Sequence, residues 1–337
     1  MNMKKTIALL YGGAGSEHDV SVLGYGNIKE LFDKEKYEVI PVFVDKDANL
    51  YIVSKNGEKI PTFPVRIDGV SGFFSCGGIL PVSCAFPLLH GDMGEDGSVQ
   101  GLLESARIPY VGEKISVSAV CIDKAYTKRI AESLGIPVAK YVSIRGRTSP
   151  EQAESISSEK IGYPMFIKPS ALGSSVGACA VHSREDFLRV YELAARLGGD
   201  NVLIEELVED KREVECAVLI TEGEIIITHP SEIIISGTYG YSEKYRKKTE
   251  TRTFADIGED TAHAVRDYAR KLIHGIGIRA LSRIDFFLSG ERVIFNEINT
   301  MPGFTSDSMY LKMLSGAGVA PERVIDTLIE RAPGEMA

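Results

Sequence analysis

The chain is predicted to be an α/β protein of α+β character, built as three units and opening on a parallel βαβ segment. Near the N-terminus, the apolar run at residues 7–11 enters the turn Gly12-Gly13-Ala14-Gly15, a helical pattern follows over 16–32, and a second apolar run covers 38–44. Strand, glycine turn, helix and strand in that order signal a parallel pair joined by a crossover helix. In the C-terminal half, residues 283–288 and 293–299 alternate with period two and read as adjacent strands. At 337 residues and 44% hydrophobic content, the chain exceeds one ordinary domain. We expect three domains, at residues 1–120, 121–205 and 206–337.

The remaining elements follow from local signals. Residues 81–89 form an apolar strand that ends at His90-Gly-Asp-Met-Gly-Glu95-Asp96-Gly97, and ligands of such sheets sit at the carboxyl ends of strands. Asp45-x-Asp47-x-Asn49 reads as a turn, because Leu50 stands where a calcium loop needs glycine. Asp123 is a plausible N-cap for a helix that Gly135 and Pro137 end. Strands at 165–168 and 178–182 flank the glycine-serine loop 173–177. A helix then follows, with Ser183 and Asp186 as capping box and Phe187, Val190, Tyr191, Ala194 and Leu197 as its apolar face. A strand at 213–220 has its hairpin partner at 224–229. The loop 236–250, rich in Gly, Tyr, Ser and Lys, reads as a mobile lid, and helices cover 260–276 and 321–331.

Composition narrows the function. A formal charge of -9 and a pI near 5.4 argue against nucleic acid or an anionic membrane as the main partner and favour a small substrate. The five cysteines, Cys76, Cys84, Cys121, Cys179 and Cys216, are scattered without a Cys-x-x-Cys pair, so reduced thiols and a cytoplasmic setting are expected. No run approaches about 18 apolar residues, and the apolar stretch after Lys4-Lys5 is too short for a signal peptide and reads as a first strand.

The chemistry concentrates on the C-terminal pair of strands. Arg283 and Asp285 share one face of the first strand, and Glu297 and Asn299 share one face of the second. Asp285 and Glu297 are equidistant from Glu291, so an odd-length loop within Ser289-Gly290-Glu291-Arg292 would set the carboxylates opposite each other, and a two-residue loop would split them. Two carboxylates and an amide suit Mg²⁺ beside nucleotide phosphates. A solvated hairpin with an Arg283-Asp285 salt pair is the alternative. Lys124, in the first turn of a helix, opposes the macrodipole and suggests an anion beside it, against the alternative of a solvated lysine. His18 stands where a dinucleotide fingerprint needs its third glycine, and no Walker-type loop occurs. Phosphates would instead be held by Lys124, Lys168, the loop 173–177 and the Asp285, Glu297, Asn299 cluster.

The ordered set of motifs resembles the D-alanine:D-alanine ligase family of the ATP-grasp superfamily over nearly the whole chain. It comprises Gly12-Gly13 with Ser16-Glu17-His18, His90-Gly with Gly94-Glu95-Asp96-Gly97, Asp123-Lys124, and Lys168-Pro-Ser with Gly173-Ser174-Ser175. It continues with Glu243-Lys244-Tyr245, Arg283-Ile-Asp285, and Asn296-Glu297-Ile-Asn299-Thr-Met-Pro-Gly303 with Thr305-Ser306. The resemblance implies a three-domain ATP-grasp architecture and a two-step reaction in which ATP activates one D-alanine as an acyl phosphate and a second displaces phosphate, for peptidoglycan precursors. It implies that Glu17 binds the first substrate's ammonium and that Ser174 and Tyr245 link Glu17 to the lid. Arg283 and the Gly303 amide hold the oxyanion, and His90, Ser308 and Met309 meet substrate. Lys124, Lys168, Ser175, Glu205, Glu206, Leu207, Glu213 and Lys244 bind ATP. Asp285, Glu297 and Asn299 bind two Mg²⁺ ions, which Mn²⁺ could replace. A homodimer through the N-terminal domain is also implied. Gly15 and Asp307 depart from the usual serine and histidine, which leaves D-serine open as second substrate. Another carboxylate-amine ligase of the superfamily is the neighbouring alternative, and a degenerate ADP-binding module is the alternative from another class.

Overall fold

The computed structural model describes residues 3–198, 201–234, 250–306 and 308–332, arranged as three sheets with helices packed against them. The first sheet holds β1 (Lys5–Gly12), β2 (Tyr37–Val44), β3 (Leu50–Val53), β4 (Lys59–Ile67), β5 (Val70–Ser75), β6 (Gly78–Pro81) and β7 (Cys84–Leu88), in the order β6-β5-β4-β3-β2-β1-β7. β1 pairs in parallel with β2 and with β7, as the βαβ pattern predicts. Beyond β2 the sheet continues antiparallel, because connections of a few residues allow hairpins but no crossovers. The crossover helix α1 (His18–Ile28) stops short of the expected Phe32, and Leu31 N donates to Ile28 O at 2.9 Å in the tightened turn that ends it.

α2 (Ser98–Ser105), α3 (Ile115–Ile122) and α4 (Lys124–Ser133) lead to the second sheet. Asp123 caps α4 as expected, accepting from Ala125 N and Tyr126 N. β8 (Tyr141–Arg145), β9 (Met165–Pro169), β10 (Cys179–Val181) and β11 (Asn201–Glu206) run antiparallel in the order β10-β9-β11-β8, accompanied by α5 (Pro150–Lys160) and α6 (Arg184–Gly198). Ser183 Oγ accepts from Asp186 N at 3.2 Å, which completes the predicted cap of α6. Phe187, Val190, Tyr191 and Ala194 are buried, but Leu197, expected on the same face, is 45% exposed; it lies over the backbone at Gly177 instead of in the core.

The third sheet contains β12 (Arg212–Ile220), β13 (Ile225–Ile227), β14 (Ser231–Ile234), β15 (Glu250–Arg252), β16 (Leu281–Ser289) and β17 (Arg292–Asn299). Its order is β15-β14-β12-β16-β17, with β13 beside β12. α7 (Glu259–Ile276), α8 (Met309–Gly316) and α9 (Pro321–Arg331) complete the chain, α9 with its expected bounds. The lid segment 236–250 falls, except for Glu250, outside the described residues.

The β16–β17 connection corrects the expectation of an odd-length loop. Ser289 pairs with Arg292, so the loop is the two residues Gly290 and Glu291, with Gly290 at φ +58°. Such a loop alone would put Asp285 opposite Asn296. A register shift beside Phe286 makes Phe286 face Phe295 while Asp285 faces Glu297, so Asn296 is the extra residue of a β-bulge. The carboxylates do stand opposite each other, through a bulge and not through the loop.

Two cores matter for the site. One lies under the second strand pair, joining Cys216, Ile284, Phe286 and Phe295 to Val265 and Leu272 of α7. Another joins Ile7, Leu9 and Phe86 of the first sheet to Tyr310, Leu314, Ile325 and Leu328 of the C-terminal helices. Tyr310 Oη donates to Val218 O at 2.8 Å, which ties α8 to β12. Among the described residues no helix is long and apolar enough to cross a membrane, and all five cysteines are free thiols.

Candidate active site

A cleft of about 390 Å³ is lined by strands of the second and third sheets and by the N-terminal unit through the start of α1 and the loop after β7. Every predicted site residue that falls among the described ones lines it. Tyr245 and Lys244, assigned to the lid, and Asp307 lie outside the described residues.

At the N-terminal side, the turn after β1 brings Glu17 to the start of α1. Gly12, at φ +99°, makes that turn, and a Cβ there would meet Val44 O at 2.2 Å. Ser21 fixes the helix from below, since Gly12 N donates to its Oγ at 2.9 Å while its hydroxyl donates to Leu88 O. Glu17 occupies the N-cap position but makes no capping bond with its side chain. Its Oε1 accepts instead from Ser174 Oγ at 2.5 Å, across from the loop 173–177. Ser174 and Ser175 both hold left-handed backbones, at φ +52° and +57°, a conformation that aims successive groups of this loop into the cleft at a cost in strain. His90, just beyond β7, has Nδ1 2.8 Å from Met301 O, while its buried Nε2 has no partner among the described residues. Glu95 accepts from Gly91 N and Met301 N, both at 2.9 Å, and so joins the loop after β7 to the loop after β17. Burial raises the Glu95 pKa.

On the other wall the carboxylates are met by cations. Lys124 reaches Glu297 Oε2 at 3.3 Å and donates to Leu172 O at 2.8 Å. An anion, Glu297, thus stands beside Lys124 at the start of α4. Arg283 grips Asp285 with two bonds, Nε to Oδ1 at 2.8 Å and Nη2 to Oδ2 at 2.7 Å, and its Nε also lies 2.8 Å from Glu215 Oε2. Burial acts against the charged guanidinium, but Asp285 and Glu215 outweigh it and raise its pKa. Asn299 donates through Nδ2 to Asp285 Oδ2 at 3.3 Å, which keeps its Oδ1 for another partner. The oxygen donors of Asp285, Glu297 and Asn299 suit a hard divalent cation that takes its other ligands from phosphates and water. Among the described residues no group of three or more His, Cys, Asp or Glu side chains could hold a metal by itself.

Lys168 and Glu205 meet at 2.7 Å, and the other oxygen of Glu205 lies 2.7 Å from Lys128. Lys168 also donates to Asn296 Oδ1, the bulge residue, at 3.3 Å. Burial alone would raise the Glu205 pKa, yet Lys128 and Lys168 hold it down at about 2. Lys128 is pushed down by burial, with Glu205 opposing and Lys168 adding repulsion, as expected for two cations on one carboxylate. Glu206 Oε1 accepts from Lys140 N at 3.1 Å, and Leu207 N donates to Pro164 O at 3.1 Å. Glu213 lies 3.5 Å from Lys211. At the far end, Ser308 Oγ accepts from Thr305 N at 3.0 Å, and a Cβ on Gly303 would come within 2.7 Å of that oxygen, so a larger residue there would have to displace the Ser308 hydroxyl. Met309 is buried at the start of α8.

Sequence reasoning missed Lys128, Glu215 and Lys211. Lys128 stands four residues after Lys124 on the same face of α4, and Glu215 alternates with Glu213 along β12, so both signals were present as spacing. For Lys211 the spacing to Glu213 was visible, but its aromatic neighbours Phe166 and Phe287 come from distant strands.

This arrangement has close parallels. Residues 6–113 match the family profile described as the D-ala D-ala ligase N-terminus, and residues 130–330 match the D-ala D-ala ligase C-terminus. The D-alanine--D-alanine ligase A of Mesorhizobium japonicum is 38% identical, with 98% of each chain covered. The D-alanine--D-alanine ligase of Thermoanaerobacter sp. strain X514 is 36% identical, over 98% of this chain and 96% of the relative. Among solved structures, the VanG D-Ala:D-Ser ligase from Enterococcus faecalis superposes with a TM-score of 0.89 at 31% identity, covering 98% of this chain and all of that one. The D-alanine-D-alanine ligase from Coxiella burnetii gives 0.87 at 30% identity, over 98% and 94%. With both halves matched by the profiles and whole-length relatives above 30% identity, the chain belongs to the D-alanine–D-alanine ligase family, a family of ligase enzymes with the ATP-grasp fold.

Proposed function

We propose that the protein joins two D-alanines into D-alanyl-D-alanine at the expense of ATP, supplying a precursor of peptidoglycan. The observation that carries this reading is the convergence in one cleft of the Glu17 carboxylate, Lys124 and Lys168, and the oxygens of Asp285, Glu297 and Asn299 beside Arg283. The first D-alanine places its ammonium at Glu17, which Ser174 orients. Its carboxylate oxygen attacks the γ-phosphorus, the bond to the β-phosphate oxygen breaks, and ADP leaves. Lys124, Lys168 and Ser175 hold the phosphates, while Glu205, Glu206, Leu207 and Glu213 receive the nucleoside. Asp285, Glu297 and Asn299 would hold magnesium, as two ions and replaceable by manganese, and the metal would supply positive charge to phosphate oxygens.

In the second step the amine of another D-alanine attacks the carbonyl carbon of the acyl phosphate. A carbon–nitrogen bond forms, phosphate leaves with the bonding pair, and the amine loses a proton. Arg283 and the Gly303 amide stabilise the oxyanion, and His90, Ser308 and Met309 fix the substrates. Lys244 and Tyr245 close the lid, which keeps water from an intermediate that hydrolyses readily. The division at residues 120 and 205 and a homodimer through the N-terminal domain belong to the same reading.

D-serine is the second candidate nucleophile, supported by the likeness to a D-Ala:D-Ser ligase. Phosphate release from ATP, measured with D-alanine, D-serine or D-lactate offered as second substrate, tests the proposal. D-alanine-dependent release with dipeptide formed is expected. Its absence overturns the reading.

A further inference from the structure

Lys211 lies between β11 and β12 on the wall of the cleft. Its ammonium is 3.7 Å from the ring centre of Phe287 and 5.8 Å from that of Phe166, and 3.5 Å from Glu213 Oε1. Phe166 belongs to β9 and Phe287 to β16, so this one cation meets aromatic surface from the second and the third sheet. Its side chain is only 13% exposed. Burial lowers its pKa, Glu213 opposes that shift, and Lys168 adds repulsion. The ring faces and the carboxylate thus offset a real desolvation cost.

The groups that Lys211 occupies are those a nucleoside requires. Aromatic faces stack a base, and a carboxylate accepts from ribose hydroxyls. We propose that Lys211 is an internal competitor of the nucleotide, covering the stacking surface of Phe287 and pairing with Glu213 until a nucleotide displaces it. The inference rests on the adenine-nucleotide reading given above. A four-carbon stem with free rotation lets the ammonium swing out to water. Only molecules with Lys211 withdrawn are competent to bind, so the observed dissociation constant is raised by the inverse of that fraction.

The sign of a single measurement decides. Truncating a residue that grips a ligand weakens binding; truncating a competitor strengthens it. Calorimetric titration of ADP with Mg²⁺ into the full chain is expected to show Lys211→Ala binding about three- to tenfold tighter than the unaltered protein. Lys211→Met, which keeps the stem but loses the ion pair, shifts in the same direction and decides the matter if the alanine variant fails to show a cooperative melt. Equal or weaker ADP binding by a folded variant overturns the inference alone. If neither the unaltered protein nor the variants bind ADP, the nucleotide reading falls and the inference falls with it.

Discussion

Glu205 is ion-paired with Lys128 and Lys168 together, each at 2.7 Å, in the buried space between α4 and the second sheet. Removing its charge would leave two desolvated cations without their anion, and Glu205→Gln is expected to cost about 3–5 kcal/mol in a urea titration near neutral pH. The pH window follows from its depressed pKa. The stabilisation is complete above the ordinary glutamate value of 4.5 and is lost as pH falls through about 2, so the gap between the unaltered protein and Glu205→Gln should narrow across that interval. Glu297 is different in kind, because it is partly open to the cleft and holds Lys124 at 3.3 Å. Glu297→Gln is expected to lower turnover by about a hundredfold or more while the thermal melt stays cooperative. A collapsed melt would assign Glu297 to structure instead.

Elements place these residues by devices with a definite cost. The bulge at Asn296 corrects the register of a two-residue hairpin, and its side chain takes a bond from Lys168. Deleting Asn296 should leave Glu297 opposite Asp285 in a regular ladder, but it removes the oxygen that Lys168 meets and the local twist of the bulge. Circular dichroism should then stay close to that of the unaltered protein while the ligation rate falls, and an unchanged rate would show that the bulge is dispensable. At the other wall, α1 offers its N-terminus to Glu17, yet the side chain reaches across to Ser174. Ser174→Ala should therefore lower kcat/KM for D-alanine by about tenfold, read from initial rates, since a hydroxyl donating to a carboxylate is lost.

At the scale of the whole molecule, the C-terminal helices belong to the core of the N-terminal sheet. Leu328 of α9 and Ile7 and Leu9 of β1 are in one buried cluster, and Lys36 reaches Asp326 at 2.6 Å on its rim. The N-terminal strand and the last helix thus share one core. Leu328→Ala is expected to cost about 2–5 kcal/mol and to reduce hydrogen-exchange protection in β1 as well as in α9. Loss of protection confined to α9 would show that the two ends open independently.

The sequence by itself determined what depends on residues a few positions apart. The strand after the N-terminus, the cap at Asp123, the box at Ser183 and Asp186 and the span of α9 were legible because their periodicity and capping chemistry are local. The motif set also made the candidate residues legible, since each side chain had to be of a type able to hold an ammonium, a phosphate or a hard cation. Only the tertiary structure decided the bulge that aligns Asp285 with Glu297, the sharing of Glu205 by two lysines, the place of Lys211 between Phe166 and Phe287, and the docking of α9 on β1. Those facts depend on which distant surfaces pack together, and packing sets register and burial across the whole chain, so no window of neighbouring residues carries them.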